Sequence, residues 1–398
     1  MGKKVMAINA GSSSIKFKLY DISDESVILS GIVDRIGHED AIFKMEFNGE
    51  EVKKVLPIKN HEVGVNLLLK NLIDYKIIKS LDEIKGVGHR IVQGGKYFAD
   101  SAIFNKDTEE KIASLIPLAP LHNAAHLVGF HAFQKALPNV GSIAVFDTAF
   151  HQTMEEEDFL YPIPLEYYEK YDIRRYGAHG TSHKYLSEEA AKLFPEIKDP
   201  KIISCHIGSG ASLCAIKDGK CVATSMGLTP LGGVMMGTRT GDIDPSVMYF
   251  ACQQTGKDVE EMYQIFNKKS GLLGISKVSN DTRDVESAAK NGDKNAILAE
   301  KMFARRIADF IGQYYVRLGG ADIIVFSAGI GENAPHFRKI IIDEIKEALG
   351  VVIDEELNNK VRGKVAVLSL PESKIKVAVI PTDEELMIMR DIVRLLKF

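Results

Sequence analysis

Two short glycine-serine stretches follow apolar, strand-like runs, and they lie half a chain apart. Gly11-Ser12-Ser13-Ser14 follows Val5-Met6-Ala7-Ile8, and Gly208-Ser209-Gly210-Ala211 follows Ile202-Ile203-Ser204-Cys205, and the two Gly-Ser pairs lie 197 residues apart. A tight turn of this composition offers backbone N–H groups and hydroxyls to an anion, and glycine lets a phosphate approach the backbone closely. Asn9 ends the first strand, while Ser12, Ser14 and Lys16 alternate onto one face of the returning strand. His206 stands just ahead of the second turn. The chain has no GxxxxGK[ST] and no HRD or DFG set, so neither a P-loop nor a protein-kinase scaffold is indicated. If phosphate is handled here, these two hairpins are the candidate cradles.

A third candidate is Gly329-Ile330-Gly331-Glu332-Asn333, which follows a strand and is expected to open a helix whose N–H groups could face a phosphate or ribose. Gly329, Gly331 and Ala334 also satisfy a dinucleotide fingerprint with Asp354 as the ribose contact, but too few residues follow Asp354 to complete a doubly wound domain. Three segments set charge beside turn-forming residues and read either as anion sites or as solvated surface loops: residues 86–90, 174–183 and 235–242. The eleven histidines include no HExxH, and His122, His126 and His131 lack an acid at ligand spacing, so a zinc site is not expected.

The elements that must position these residues alternate between strand and helix, an α/β arrangement. Ser142 to Phe146 and Asp322 to Ser327 read as strands. Ile307, Phe310, Ile311, Tyr314 and Leu318 trace a helix closed by Gly319-Gly320. A last helix follows the strand Val377 to Ile380. Thr382 and Glu385 have capping-box spacing, which would commit Glu385 and leave Glu384 free. At 398 residues the chain is long enough for two cores, and the repeated hairpin suggests two related halves. A net charge of -4 gives no general attraction to nucleic acid or anionic membrane. Four cysteines without CxxC spacing, no signal-peptide pattern and no long apolar run point to buried free thiols in a cytoplasmic protein.

Residues 9–16, 88–95, 146–151, 179–183, 237–242 and 381–386 together resemble the acetate kinase family: NAGSSSIK, GHRIVQGG, FDTAFH, HGTSH, GTRTGD and PTDEEL, in family order along almost the whole chain. The resemblance implies the duplicated ribonuclease-H-like fold of the sugar-kinase/actin type, two domains enclosing a nucleotide cleft, and a homodimer. Boundaries are expected at 1–150 with a returning helix at 384–398, and at 151–383 for a nucleotide-binding and dimerisation domain. It implies reversible transfer of the ATP γ-phosphoryl group to acetate, giving acetyl phosphate and ADP.

Carried over residue by residue, the resemblance places Mg²⁺, with Mn²⁺ as an alternative, on Asn9 and Glu384. Arg90 becomes the acid-binding cation in a pocket walled by Val92, Leu121 and Pro230. ATP or ADP falls on Ser12, Ser14 and Lys16; on His206, Ile207, Gly208, Ser209 and Gly210; on Asp281, Thr282 and Arg283; and on Gly329, Ile330, Gly331, Glu332 and Asn333. His179 and Arg239 would stabilise the moving phosphoryl. Asp147 has an acid/base role in the family, but a small carboxylic acid with a pKa of about 4.3 is already ionised and needs no base. Asp147 is therefore expected to orient metal-bound water, Arg239 or His179. Two departures stand out, Ala178 where the family commonly has phenylalanine and Ser209 where it has asparagine. The first would enlarge the acid pocket and leave propionate open; the second bears on nucleotide preference. Competing readings are a nucleotide-driven switch of the actin or chaperone type and a pyrophosphate-using relative.

Overall fold

The computed structural model describes residues 3–120 and 122–398. Its contacts divide the chain into two units, Met1–Ala149 with Asp383–Phe398, and Phe150–Thr382.

The first unit is built on one sheet. β1 (Lys4–Ala10), β2 (Ser14–Asp21) and β3 (Ser26–Asp34) form an antiparallel meander that β4 (Ile42–Phe47) and β5 (Glu50–Val55) extend. On the other side of β1 lie β6 (Ile84–Ile91) and β8 (Gly141–Phe146), both parallel to it, with the short β7 (Ala102–Ile103) at the edge. Helices His61–Asp74 and Asn123–Ala136 cover one face, burying Leu68, Leu72 and Phe133 against Met6, Ile8 and Phe17. The C-terminal helix Glu384–Leu396 covers the other, with Ile388, Met389 and Ile392 against Val5, Ala7, Ile143 and Val145. Residues buried on both faces explain why β1 reads as a continuous apolar run.

Gly86 and Gly88 serve that packing. A β-carbon on Gly88 would lie 2.3 Å from Ile388 Cγ2, and one on Gly86 2.4 Å from Ile392 Cγ2. The sequence suggested an anion site or a surface loop over 86–90, but these glycines are there so that the C-terminal helix can lie flat on β6. The start of that helix also differs from expectation. Its cap is Asp383, whose side chain accepts from Leu386 N, while Thr382 belongs to the second unit and Glu385 pairs with Lys18 at 3.3 Å. Lys18 on β2 binds Asp383 as well, at 3.1 Å, so a cross-strand cation favours the aspartate over a threonine cap. Among the described residues Glu384 has no ion-pair partner, as expected, but for a different reason.

The second unit repeats the plan. β9 (Ile202–Ile207), β10 (Ala211–Lys217) and β11 (Lys220–Thr224) form the meander, and β12 (Ile323–Ser327) and β14 (Lys376–Val379) run parallel to β9, with β13 (Ala366–Val367) at the edge. In both sheets the third, second and first meander strands are followed by two parallel ones, the internal duplication that the hairpin spacing suggested. Helices Lys294–Leu318 and Pro335–Leu349 pack on one face through Phe303, Ile307, Ile311, Phe337 and Ile341, and Gly180–Leu193 on the other through Leu186 and Ala190. The long helix ends where its glycine predicted, with Gly319 left-handed.

Candidate active site

In each unit the candidate residues gather at the carboxyl ends of the parallel strands, where open α/β sheets place their ligands. In the first unit Asn9 lies near the end of β1, Arg90 near the end of β6, and Asp147 directly after β8. The β1–β2 turn is held from outside. The ring N–H of His61 donates from Nε2 to Gly11 O at 2.7 Å, and that of His126 from Nδ1 to Ala10 O at 2.8 Å. Ser12 is exposed on this turn, and on β2 Lys16 is exposed and Ser14 half-buried.

Arg90 and Asp147 form a bidentate pair, Nε to Oδ1 at 2.9 Å and Nη2 to Oδ2 at 2.6 Å. Asp147 is 1% exposed, whereas the Arg90 side chain keeps 21%. Burial opposes the arginine's charge, yet Asp147 and Glu384 outweigh it and raise its pKa further. The segment after Arg90 is fixed by Asn123, which accepts from Gln93 N and donates to Gln93 O, and by Gly94 N on Thr148 Oγ1. Val92 is buried beside it. Leu121, expected as a second pocket wall, lies outside the described residues.

Glu384 keeps partial solvent access and, among the described residues, has no hydrogen-bond or ion-pair partner. Burial raises its pKa to about 7; Arg90 pulls against that, while Asp147, Glu385 and Asp383 push further. Asn9 and Glu384 are both hard oxygen donors, and few protein ligands suit Mg²⁺, which keeps waters and phosphates around it. A carboxylate that resists its own charge is one that a divalent cation relieves.

In the second unit His179 opens the helix Gly180–Leu193 with φ 61° and ψ 22°, a left-handed conformation uncommon for a residue with a side chain. Its Nδ1 lies 2.8 Å from Ser212 Oγ, which is also 2.8 Å from His183 Nε2. His179 stacks on His206 at 4.1 Å, and His206 Nδ1 meets Ser182 Oγ, which in turn meets Thr382 Oγ1 at 2.7 Å. Gly210 sits against both candidate phosphoryl-stabilising groups. A β-carbon there would lie 3.2 Å from Arg239 Nη1 and 3.7 Å from His179 Nε2. Arg239 donates to the Pro230 carbonyl and lies 3.7 Å from Met236 Sδ, and burial lowers its pKa. No carboxylate competes for it among the described residues. Ala178 is 4% exposed within the unit's main core.

Within this unit a groove of about 490 Å³ is lined by Gly208, Ser209, Asn280, Asp281, Thr282, Arg283, Gly329, Ile330, Asn333 and Ala334. Three segments widely separated in sequence, each expected to contact a nucleotide, thus share one wall. Asp281 caps the helix Thr282–Lys290 and is forked by Arg283 at 2.5 and 3.0 Å; these hydrogen bonds pull its carboxyl down to about 2.

Five of the residues expected in this unit do not line the groove. Residues 328–333 form a short helix of their own, in which Gly331 is buried and Glu332 turns to Thr382 N and Ser327 Oγ. His206, Ile207 and Gly210 are likewise off the groove, His206 and Gly210 against His179 and Ile207 in the apolar core. Asp354, the candidate ribose contact of a dinucleotide fold, instead caps the helix Glu355–Lys360.

Sequence reasoning missed the clasp behind this wall. Arg338 is fully buried, and its guanidinium donates to Gly331 O, Glu332 O, Asn358 O, Asn358 Oδ1 and Val361 O. Burial lowers its pKa to about 10. It binds the carbonyl end of the short helix, so the groove wall depends on it. Arg338 lies one turn into a new helix, and nothing in its local pattern marks a buried cation.

The sequence matches the model of the acetokinase family over residues 4–390. The chain belongs to the acetokinase family. It is 54% identical over 393 residues to an acetate kinase of Anoxybacillus flavithermus, covering 98% of each chain. With an acetate kinase of Bacillus subtilis the identity is 51% over 395 residues, covering 99% of this chain and all of the other. Among solved structures, an acetate kinase of Porphyromonas gingivalis superposes with TM-score 0.94 at 42% identity, and a propionate kinase of Francisella tularensis with 0.92 at 39%, each over 99% of this chain and 100% of the other. The two-unit α/β architecture is therefore that of this family, the sugar-kinase/actin type. Among the described residues no helix is long and apolar enough to cross a membrane.

Proposed function

We propose that the chain catalyses reversible phosphoryl transfer from ATP to acetate, giving acetyl phosphate and ADP, with a divalent cation that is Mg²⁺. The observation that carries this reading is the pairing of two chemistries in one chain: a polyphosphate-sized groove with the Gly208-Ser209 turn on its wall, and an arginine anchored for a small carboxylate. The chain's named acetate kinase relatives, above 50% identity, favour acetate over propionate, the substrate named for a relative at 39%. An actin-like switch would have no use for an oriented Arg90.

Each residue then has a task. Asp147 locks Arg90 so that its remaining N–H groups receive the acid carboxylate, and Val92, buried beside Arg90, supplies apolar contact to the methyl group. Arg239, whose partners among the described residues are neutral, is available for charge on the phosphoryl oxygens, and His179, held by Ser212, for a second hydrogen bond to them. Asn9 and Glu384 would hold the cation, which would supply charge neutralisation for the phosphates. Residues 208–210, 281–283 and 329–333 hold or support the nucleotide. We also infer a homodimer. The helix Ser246–Thr255 buries none of its residues within its own unit and exposes Val247, Tyr249 and Phe250 by 46, 70 and 64%.

The test is hydroxylamine trapping with acetate, propionate or butyrate against ATP, GTP or pyrophosphate. Acetohydroxamate formed with ATP is expected. ATP hydrolysis without hydroxamate for any acid would reject the reading.

A further inference from the structure

One cluster of reactive side chains takes no part in this chemistry. Cys214 on β10 and Cys221 on β11 face each other across a hairpin whose register shifts between Ala215 and Ile216, and their Sγ atoms lie 3.4 Å apart. His151 reaches the same spot from the short turn Ala149–Thr153, which is fastened to β11 by Thr153 Oγ1 donating to Cys221 O at 2.7 Å. The three donor atoms all lie within 4.8 Å of one another, and the three residues are at most 1% exposed.

The histidine is the second, independent observation. Its Nδ1 lies 3.3 Å from the carbonyl of Tyr176, which can only accept, so the proton is on Nδ1 and Nε2 carries the lone pair. That Nε2 is buried and, among the described residues, has no hydrogen-bond partner. An orphaned acceptor in a protein interior is costly and calls for an explanation. Burial, with help from Arg174 and Arg175, holds the ring neutral, its pKa lowered to about 3, the form that binds metals.

We propose that His151, Cys214 and Cys221 form a buried three-coordinate site for a thiophilic d¹⁰ monovalent cation of the Cu⁺ class. A trigonal ion at about 2.3 Å from sulfur and about 2.0–2.1 Å from nitrogen sets donor separations of about 3.8–4.0 Å, so the cluster needs only small adjustments. Two thiols and an imidazole are a soft donor set, suited to Cu⁺ or Zn²⁺ rather than to Mg²⁺. A fourth ligand, which Zn²⁺ would require, is missing among the described residues. The neighbouring His183, 5.8 Å away ring to ring, has both nitrogens engaged by Ser204 and Ser212. The surroundings are apolar, including Met154, Phe159, Leu186 and Ile216. Binding balances as one cation in and two thiol protons out, with no change of oxidation state. The complex carries one negative charge, offset by the nearby guanidinium groups of Arg174 and Arg175.

The test uses the full chain with Cys252, the one partly exposed thiol, replaced by Cys252→Ser, reduced and kept anaerobic. Cu⁺ is titrated in competition with a chromogenic chelator while thermal stability is recorded. One equivalent retained, with a raised Tm and an X-ray absorption shell of two sulfurs and one nitrogen, is expected. Cys214→Ser should abolish retention. His151→Gln, which leaves both thiols, should weaken it at least tenfold and remove the nitrogen shell, so the outcome does not hang on one variant's folding. No retained copper, equal retention in Cys214→Ser, or tighter binding of Zn²⁺ than of Cu⁺ would overturn the proposal.

Discussion

Replacing Asp147 by asparagine separates a positioning role from an acid/base one. The carboxylate is 1% exposed and accepts two hydrogen bonds from Arg90, at 2.9 and 2.6 Å. An asparagine can still accept from Nε, but it presents an amide N–H₂ to Nη2, donor against donor. Removing one partner of a buried ion pair costs about 3–5 kcal/mol, and each charge-assisted bond accounts for about 1.5–3 of that. With one bond and the charge lost, about 3 kcal/mol no longer holds Arg90, equivalent to about 10²-fold in rate at 1.36 kcal/mol per decade. We therefore expect Asp147→Asn to lower kcat/KM for acetate about 10²-fold, with KM for ATP within twofold of the parent. Arg90→Ala should behave alike, and the double variant should be no worse than either, because the two residues act as one unit. The pH profile of the residual activity should keep its shape, since the ionised acid needs no base. Melting curves and circular dichroism exclude simple unfolding. Additive losses in the double variant, or a low-pH limb that vanishes in Asp147→Asn, would refute the reasoning.

Arg239→Ala should cut kcat by about 10²-fold or more while ATP binding by calorimetry survives, as for other groups acting on transition-state charge; unchanged turnover would remove it from the chemistry. Arg338→Met deprives five acceptors of their donor and should raise KM for ATP about tenfold with KM for acetate unmoved, a split that general destabilisation would not give. Glu384, with its folded pKa raised by burial to about 7 from the ordinary value of 4.5, binds its proton more tightly folded than unfolded. Its charge therefore costs stability above about pH 7, and the cost is relieved as pH falls through 7 towards 4.5. Calorimetric scans should show a larger Mg²⁺-induced rise in Tm at pH 8 than at pH 6, and the difference should disappear in Glu384→Gln. Phe250→Asp should shift the mass in light scattering towards the monomer.

The fold was legible in the sequence because its signals are local and repeated. The two Gly-Ser hairpins, the apolar strands beside them and the glycine-closed helix at Leu318 each declare themselves within about twenty residues. The charged segment at 86–90 and the start of the last helix proved harder, because what they touch is distant in sequence. Gly88 looks like a phosphate-binding glycine until Ile388, three hundred residues on, is seen to need its missing β-carbon. The capping box failed because Lys18, on another strand, draws Asp383 into the cap. The site residues divide in the same way. Residues at strand ends were readable from type and position, whereas their supports, Ser212 under His179, His126 and His61 under the β1–β2 turn, and Arg338 behind the groove, are ordinary residues made important only by tertiary contact. Asp147 was readable as a site residue, but its pairing with Arg90 was not, since no local pattern links residues 57 positions apart.

The most direct measurement is phosphorus NMR of the purified protein with ATP, Mg²⁺ and acetate. The account predicts that the γ-phosphoryl signal passes into acetyl phosphate as ADP appears, that adding acetyl phosphate to ADP runs the exchange backwards, and that neither occurs without acid. Orthophosphate accumulating from ATP at a rate indifferent to acetate would contradict it.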